Sequence, residues 1–595
     1  MTMNEKVVLK VRNPRSELLI DEPHALPPRL DTLEGKRIAV LLIKPDADIY
    51  LEFLTQMLQE KYPTSEFVRM EGRTGMFVTI HDLPDFDAYI YGVKNTAGYN
   101  SEAAIDWERN GTPGVTLTTA FCDPQTPRHA MSACTPIRTY VLPCDKWFDV
   151  NEVEEFRKLA ENSIEGIEHA LTDPLTEEEE NPKKLEYDLS DLEFEGEDYD
   201  EAYKKFQDYF IEHKYTDGMS VAPPTPKAVE EMLTGTSRRP DEVLVGDMAP
   251  THGIVTIEKI AINAVMAGAR PEYLPIIITA VEMCCDPDFD VFHAVATVTS
   301  SQLMIAVDGP IAKEIGMNCK TGYLGPGNRA NSTIGRAVSL CCINLGWLDF
   351  DIDGGMTGQP SRYCNLTFCE NEEESPWEPW RVTQGYSLED STVTIEEVMH
   401  VDGYWWKDIT NMPSGSVWTY GLQNDLDRIA ERAQGTLENK LHPEIKNIND
   451  INYYDKWGRI GANDWIGHRS YILVIYPGQA RQLAEAGYTK EDVAKYIGNY
   501  RRYPWDKLDE HLQESMLELA KSGKVPNLTV EDCVPGGSVP VYNSDKLGIF
   551  VSGPLGGQTL GFYCMASYKS FGENAPSVPY YTRKITGATL TESGR

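Results

Sequence analysis

Residues 322–337, GYLGPGNRANSTIGRA, carry the residue types of an anion-binding turn. The glycines and Pro326 force a tight loop. Asn331, Ser332 or Thr333 can cap the helix that follows. Free amides at a helix start attract anions, and Arg329 beside them is a bidentate donor for a carboxylate or phosphate. On this reading Gly327, Asn328, Arg329, Asn331 and Thr333 hold a substrate anion. A capped helix whose arginine makes a structural ion pair uses the same residues, and both readings stand.

Residues 246–268, GDMAPTHGIVTIEKIAINAVMAG, place Glu258 on a largely apolar helix with His252 just before it. A carboxylate on such a face needs a partner or a raised pKa. Glu258 and His252 would then form an acid/base pair. The alternative is a glutamate that interacts with the helix dipole. The loop KNTAGYN, 94–100, follows an apolar strand and opens a helix. Tyr99 there is a candidate acid or packed ring, and Asn100 and Ser101 are candidate anion ligands at the helix start. GPLGGQTLG, 553–561, is a second nest-like turn, but it lacks a Walker lysine and a dinucleotide spacing. Structural turn geometry is the favoured reading for it.

CCDPDFDVFH, 284–293, and RYCNLTFCENEEESPWEP, 362–379, hold acids, thiols and one histidine. Asp288, Asp290, His293, Cys364 and Cys369 have no spacing that a metal site demands, so no metal and no cofactor are expected.

The elements that must position these groups are legible from periodicity. The run at 38–43 is short and uniformly apolar, as for a strand covered on both faces. Residues 47–61 carry apolar side chains at helical spacing. SEFVRMEG, FDAYIYGV and TPGVTLTT supply three more strands. Strands alternating with helices predict an α/β fold: an N-terminal doubly wound parallel sheet of the flavodoxin or racemase kind, with a larger α+β domain after it. Ligands in such sheets sit at the carboxyl ends of the strands. The expected divisions are an arm over 1–35, the α/β domain over 36–170, an acidic solvated linker over 171–202, and the large domain over 203–595, with a possible subdivision near 385. From about 354 onward, short strands and loops are expected to dominate. The many aromatic residues of 377–465 are expected to pack a second core or a subunit interface, with core packing the default.

The chain has 595 residues and a formal net charge of -37. That is too long for one core. So acidic a surface repels phosphate backbones and anionic membranes, so no nucleic acid and no membrane are expected as partners. No run of about 18 apolar residues occurs, so nothing is expected to span a bilayer. The N-terminus shows no secretory pattern, and the twelve cysteines include two adjacent pairs in apolar segments. A reduced, cytoplasmic homo-oligomer acting on a small molecule is expected.

LLIKPDADIYLEFL, the strand DAYIYGV with its loop, and GTPGVTL resemble the N-terminal part of the UGSC-motif proteins, a family that includes selenoproteins. TDGMSVAPPTPKAVEEML, TIEKIAINAVMAGARPEYLPIII, DGPIAKEIGMN and GPGNRANSTIGRA resemble the larger domain associated with it. The resemblance implies a thiol or selenol at the strand-end loop, suited to nucleophilic or redox chemistry. This chain departs there: Ala97 and Asn100 stand roughly where the reactive pair would be. With that thiol gone, cleavage or hydration of a carbon–heteroatom bond of a small carboxylate or amide, between the two domains, is the expected chemistry. A thiol-dependent reductase using Cys122, Cys364 or Cys369 is the alternative, and a non-catalytic binding subunit is another.

Overall fold

A computed structural model describes residues 6–42, 47–94, 99–120, 130–144, 152–296, 301–353, 363–404, 469–555, 559–565 and 580–589. It has brief interruptions within 72–84 and at 131, 288, 290, 509 and 541, and it also describes three isolated residues.

Strand β1 (Val7–Val11) belongs to the arm. The α/β unit follows with β2 (Arg37–Leu42), α1 (Asp48–Lys61), β3 (Glu66–Glu71), β4 (Ala88–Lys94), α2 (Tyr99–Arg109), β5 (Gly114–Thr118), β6 (Thr139–Val141) and α3 (Val153–Thr172). The five strands form one sheet in the order β3-β2-β4-β5-β6, and every pairing is parallel. The uniform run RIAVLL is explained by its two covers. Ile38 and Val40 pack with α1 and α3, while Ala39 and Leu41 pack with Trp107 of α2. Helices on both faces make the sheet doubly wound, as its strand pattern predicts.

Part of the expected linker is ordered differently. Residues 192–196 form β7 (Leu192–Gly196), antiparallel to β1. Leu, Glu, Phe, Glu, Gly alternate at the strand period. Phe194 is buried against Phe206 and Phe210 of α4 (Tyr199–Glu212), which outweighs the acidic composition. Upstream, Thr176 and Glu179 close a capping box on the single turn Glu177–Glu180.

The second unit stacks α5 (Pro226–Leu233), α6 (Ile257–Ala267), α7 (Leu274–Cys285) and α8 (Arg329–Leu345) on one face of a seven-stranded sheet. Its strands are β8 (Gln302–Asp308), β9 (Leu366–Cys369), β10 (Thr392–Tyr404), β11 (Arg469–Ile475), β12 (Leu547–Val551), β13 (Thr559–Met565) and β14 (Tyr581–Lys584). Their order is β9-β8-β10-β13-β11-β12, with β14 added on β10. Residues just past the two outer strands meet: Asn371 N donates to Val551 O at 2.7 Å, and Ser552 Oγ donates to Cys369 O at 2.9 Å. The sheet therefore curls until its edges touch, which protects otherwise open edges. Past residue 354 the chain holds more helix than expected, in α9 (Pro477–Glu485), α10 (Lys490–Asn499) and α11 (Glu510–Ser522). Trp377 and Trp380 are the described tryptophans of the aromatic stretch; the other tryptophans lie outside the described residues. Among the described residues, no helix is long and apolar enough to cross a membrane.

Candidate functional site

The anion-binding loop is held by its own hydrogen bonds. Asn328 is the N-cap of α8, its Oδ1 accepting from Asn331 N at 3.1 Å, and its Nδ2 donates to Gly316 O at 2.8 Å. Asn331 is buried: its Oδ1 accepts from Asn318 N, and its Nδ2 donates to Asn318 O and Tyr323 O, each at 2.9 Å. Thr333 donates back to Arg329 O at 2.7 Å. Exposed Arg329 donates through Nε to Gly268 O at 2.9 Å, at the left-handed C-cap of α6. Gly327 takes φ +117, a value that glycine alone adopts without strain. Asn328→Ala is expected to cost about 1 kcal/mol of stability, the usual worth of an N-cap, measurable by urea unfolding.

Glu258 lies in the first turn of α6 and is paired with Arg12 at 4.0 Å, while His252 Nδ1 lies 3.0 Å from Asp247 Oδ1. The structure gives these two residues separate partners rather than each other. Tyr99 and Asn100 begin α2, with side chains outside the described residues, and Ser101 is buried. Cys122, Asp288, Asp290 and the His293 side chain also lie outside the described residues. Cys364 is half-buried; burial pushes its thiol up, and Arg336 opposes this. Among the described residues, no three His, Cys, Asp or Glu side chains are grouped to hold a metal ion.

A denser cluster lies where the two edges of the large sheet meet. Asp308 ends β8, and Glu370 and Glu372 follow its parallel neighbour β9. Buried Asp308 accepts from Arg381 N at 2.6 Å and from Arg381 NH1 at 2.8 Å. Glu372 accepts from the same NH1 at 2.7 Å and from Gly309 N at 3.0 Å. Buried Glu370 accepts from Lys490 Nζ at 2.9 Å, Val551 N at 3.1 Å and Trp380 N at 2.6 Å. Three carboxyls thus face two cations, and an excess of buried negative charge disfavours ionisation. Burial, then Glu370 and Glu372, push Asp308 well above the usual carboxylate range. Burial also raises Glu372, but its hydrogen bonds with Asp308 and Arg381 outweigh that and leave it below its ordinary value. Asp308 is thus the carboxyl pushed toward its protonated form, and Glu372, whose side chain is 29% exposed, the one pushed toward its ionised form.

Three stretches that stood out in the sequence converge here. Asn371 Nδ2 donates to Gly553 O at 3.3 Å, and Gly553 N donates to Cys319 O at 2.8 Å. A Cβ on Gly553 would lie 3.4 Å from the Tyr323 ring. So Gly553, Tyr323 and Asn371, one from each of these stretches, lie together beside the cluster, although Cys319, Asp308, Arg381 and Lys490 are not singled out by local pattern. The signal available in the sequence was an acid ending an apolar strand, in QLMIAVDGP. Compared with family models, curated proteins and solved structures, the chain matches none.

Proposed function

We propose that the chain is a small-molecule enzyme whose proton transfers run through Asp308 and Glu372. The reaction class this supports is hydration, elimination or hydrolysis at a carbon–heteroatom bond of a small carboxylate- or amide-bearing substrate. The observation that carries it is the Arg381 guanidinium shared by two carboxyls, its NH1 donating to buried Asp308 at 2.8 Å and to the more exposed Glu372 at 2.7 Å; two such unlike environments are how one site presents an acid and a base together. Asp308 supplies the acid and the more exposed Glu372 the base. Arg381 fixes both oxygens and is fully committed to doing so. Because Lys490 is likewise committed to Glu370, little positive charge is left over, and an amide suits the site better than a carboxylate.

Proton transfer is testable before the substrate is known. Small unsaturated acids, hydroxy acids and amides are incubated with the protein in heavy water, and deuterium incorporation at carbon is followed by NMR. Incorporation by the wild type is expected to slow about a hundredfold in Asp308→Asn. Equal rates in the two proteins, or no incorporation by the wild type across the set, would sink the reading. The pH profile is expected to be bell-shaped. Activity falls with rising pH as Asp308 loses its proton above the usual carboxylate range. It falls with falling pH as Glu372 is protonated below its ordinary value.

A further inference from the structure

Beside the carboxylates, but on other residues, lies a pair of thiols. Cys369 ends β9 and is buried; Cys319 is half-buried in the turn before the 322–337 loop. Their side chains hydrogen-bond to each other. One hydroxyl, Ser552 Oγ, reaches Cys369 O at 2.9 Å and Cys319 O at 3.3 Å, so the two backbones run side by side. The cysteines are 50 positions apart in sequence and come together only at this seam. The hydrogen bond from Cys369, helped by Lys320 against partial burial, lowers Cys319 to about 7. Cys369 moves up, through that same hydrogen bond and then burial. The other hydrogen-bonded pair, Cys284 and Cys342, is fully enclosed by helices α7 and α8, with Cys284 pushed up. Reach and thiolate character therefore coincide at Cys319, as a nucleophilic thiol requires.

We propose that Cys319 and Cys369 form a redox-active dithiol that reduces a small disulfide, with Cys319 attacking and Cys369 resolving. The Cys319 thiolate attacks one sulfur of R–S–S–R′. The S–S bond breaks, Cys319 Sγ bonds to the R sulfur, and R′S⁻ leaves and takes a proton from water. Cys369 then releases its proton to water and attacks Cys319 Sγ. A Cys319–Cys369 disulfide forms, and RS⁻ leaves and is protonated. Two electrons have passed from the dithiol to the substrate, and an added low-molecular-weight dithiol restores the starting state. Burial of Cys369 keeps it from competing as the attacking thiol, while its contact with Cys319 places it for the second step.

The test uses the full-length protein, reduced and then exposed to hydroxyethyl disulfide. Remaining thiols are alkylated, and the tryptic peptides are mapped by mass spectrometry. A peptide pair joined through Cys319 and Cys369 is expected. In Cys369→Ser the reaction is expected to stop with the hydroxyethylthio adduct on Cys319. At pH 7, iodoacetamide is expected to modify Cys319 about tenfold faster than Cys364, the ratio that a thiolate fraction near one half gives against an ordinary thiol. Absence of the joined peptides in the wild type, or equal alkylation of Cys319 and Cys364, would overturn the proposal. Neither cysteine takes part in the proton transfers followed in heavy water, so the joined peptides and the deuterium experiment fail independently.

Discussion

Arg381→Met is expected to lower folding stability by about 3–5 kcal/mol, the usual cost of breaking a buried ion pair from one side. The guanidinium is 2% exposed and fully used. NH1 serves Asp308 and Glu372, Nε donates to Ser387 O at 3.3 Å, and NH2 donates to Leu388 O at 2.7 Å. Methionine fills a similar volume but removes the guanidinium donors of two carboxylates and two carbonyls, leaving Asp308 with the backbone N–H of residue 381 and Glu372 with that of Gly309. The loss has a definite pH dependence. Asp308 already has a raised folded pKa, and without Arg381 it rises further. A carboxyl raised in the folded state binds more protons there than when unfolded. Stability therefore falls as pH rises from the ordinary carboxylate range to the folded value. The deficit of Arg381→Met should be largest at neutral pH and shrink on acidification through that window. Urea unfolding at several pH values checks this. A deficit under about 1 kcal/mol at pH 7 would mean the cluster is not held by Arg381. Arg381→Lys keeps the charge but not the planar fork, so it should recover only part of the loss.

Arg29→Met is expected to have a comparable effect, about 3–5 kcal/mol, at a site that shares no residue with the proposed chemistry. The side chains of Arg29 and Glu108 are 2% and 0% exposed. Arg29 NH1 and NH2 donate to the two Glu108 oxygens at 3.0 and 3.1 Å. Glu108 Oε1 also accepts from Gly114 N at 3.1 Å and Tyr89 OH at 3.3 Å. One arm residue thus ties α2, β4 and β5 together. Burial pushes Glu108 up and Arg29 opposes it. Removing the cation leaves a carboxylate in an apolar site, so this variant too should be least stable at neutral pH. Because the arm docks on the α/β unit, the unit should open to proteolysis before the second unit does, and limited proteolysis reads that order.

Some elements needed nothing but local pattern. RIAVLL has no polar face to turn to water, so it must be covered on both sides, and β2 is. Thr225 before Pro226 and Thr256 before Ile257 are helix starts by composition, and both hydroxyls accept from the third residue on. The helix near GPGNRANS forms as expected but begins earlier, at Arg329, because Asn328 is the cap and the expected caps Asn331, Ser332 and Thr333 lie inside the helix. Glu258 and His252 show the limit of position alone. A shared neighbourhood in sequence suggested a pair, yet a turn with His252 at φ +56 leaves His252 with Asp247 and Glu258 with Arg12. The acidic segment before residue 203 shows the same limit in reverse. Composition argued for solvent, but two alternating apolar residues were enough once β1 offered a partner strand.

By itself, then, the sequence determined most helices before residue 354, the uniformly apolar strands and the parallel, doubly wound character of the first sheet, because these follow from side-chain periodicity within a few residues. What only the tertiary structure decided is the seam. Asp308, Cys319, Cys369, Glu370, Arg381, Lys490 and Ser552 come from segments far apart in the chain. Apart from Cys369, each reads locally as an ordinary surface acid, base, thiol or hydroxyl. Closing the sheet edge to edge brings them together; burial with mismatched charge separates the carboxyls, and the hydrogen bond from Cys369 makes the Cys319 thiol unlike its neighbour.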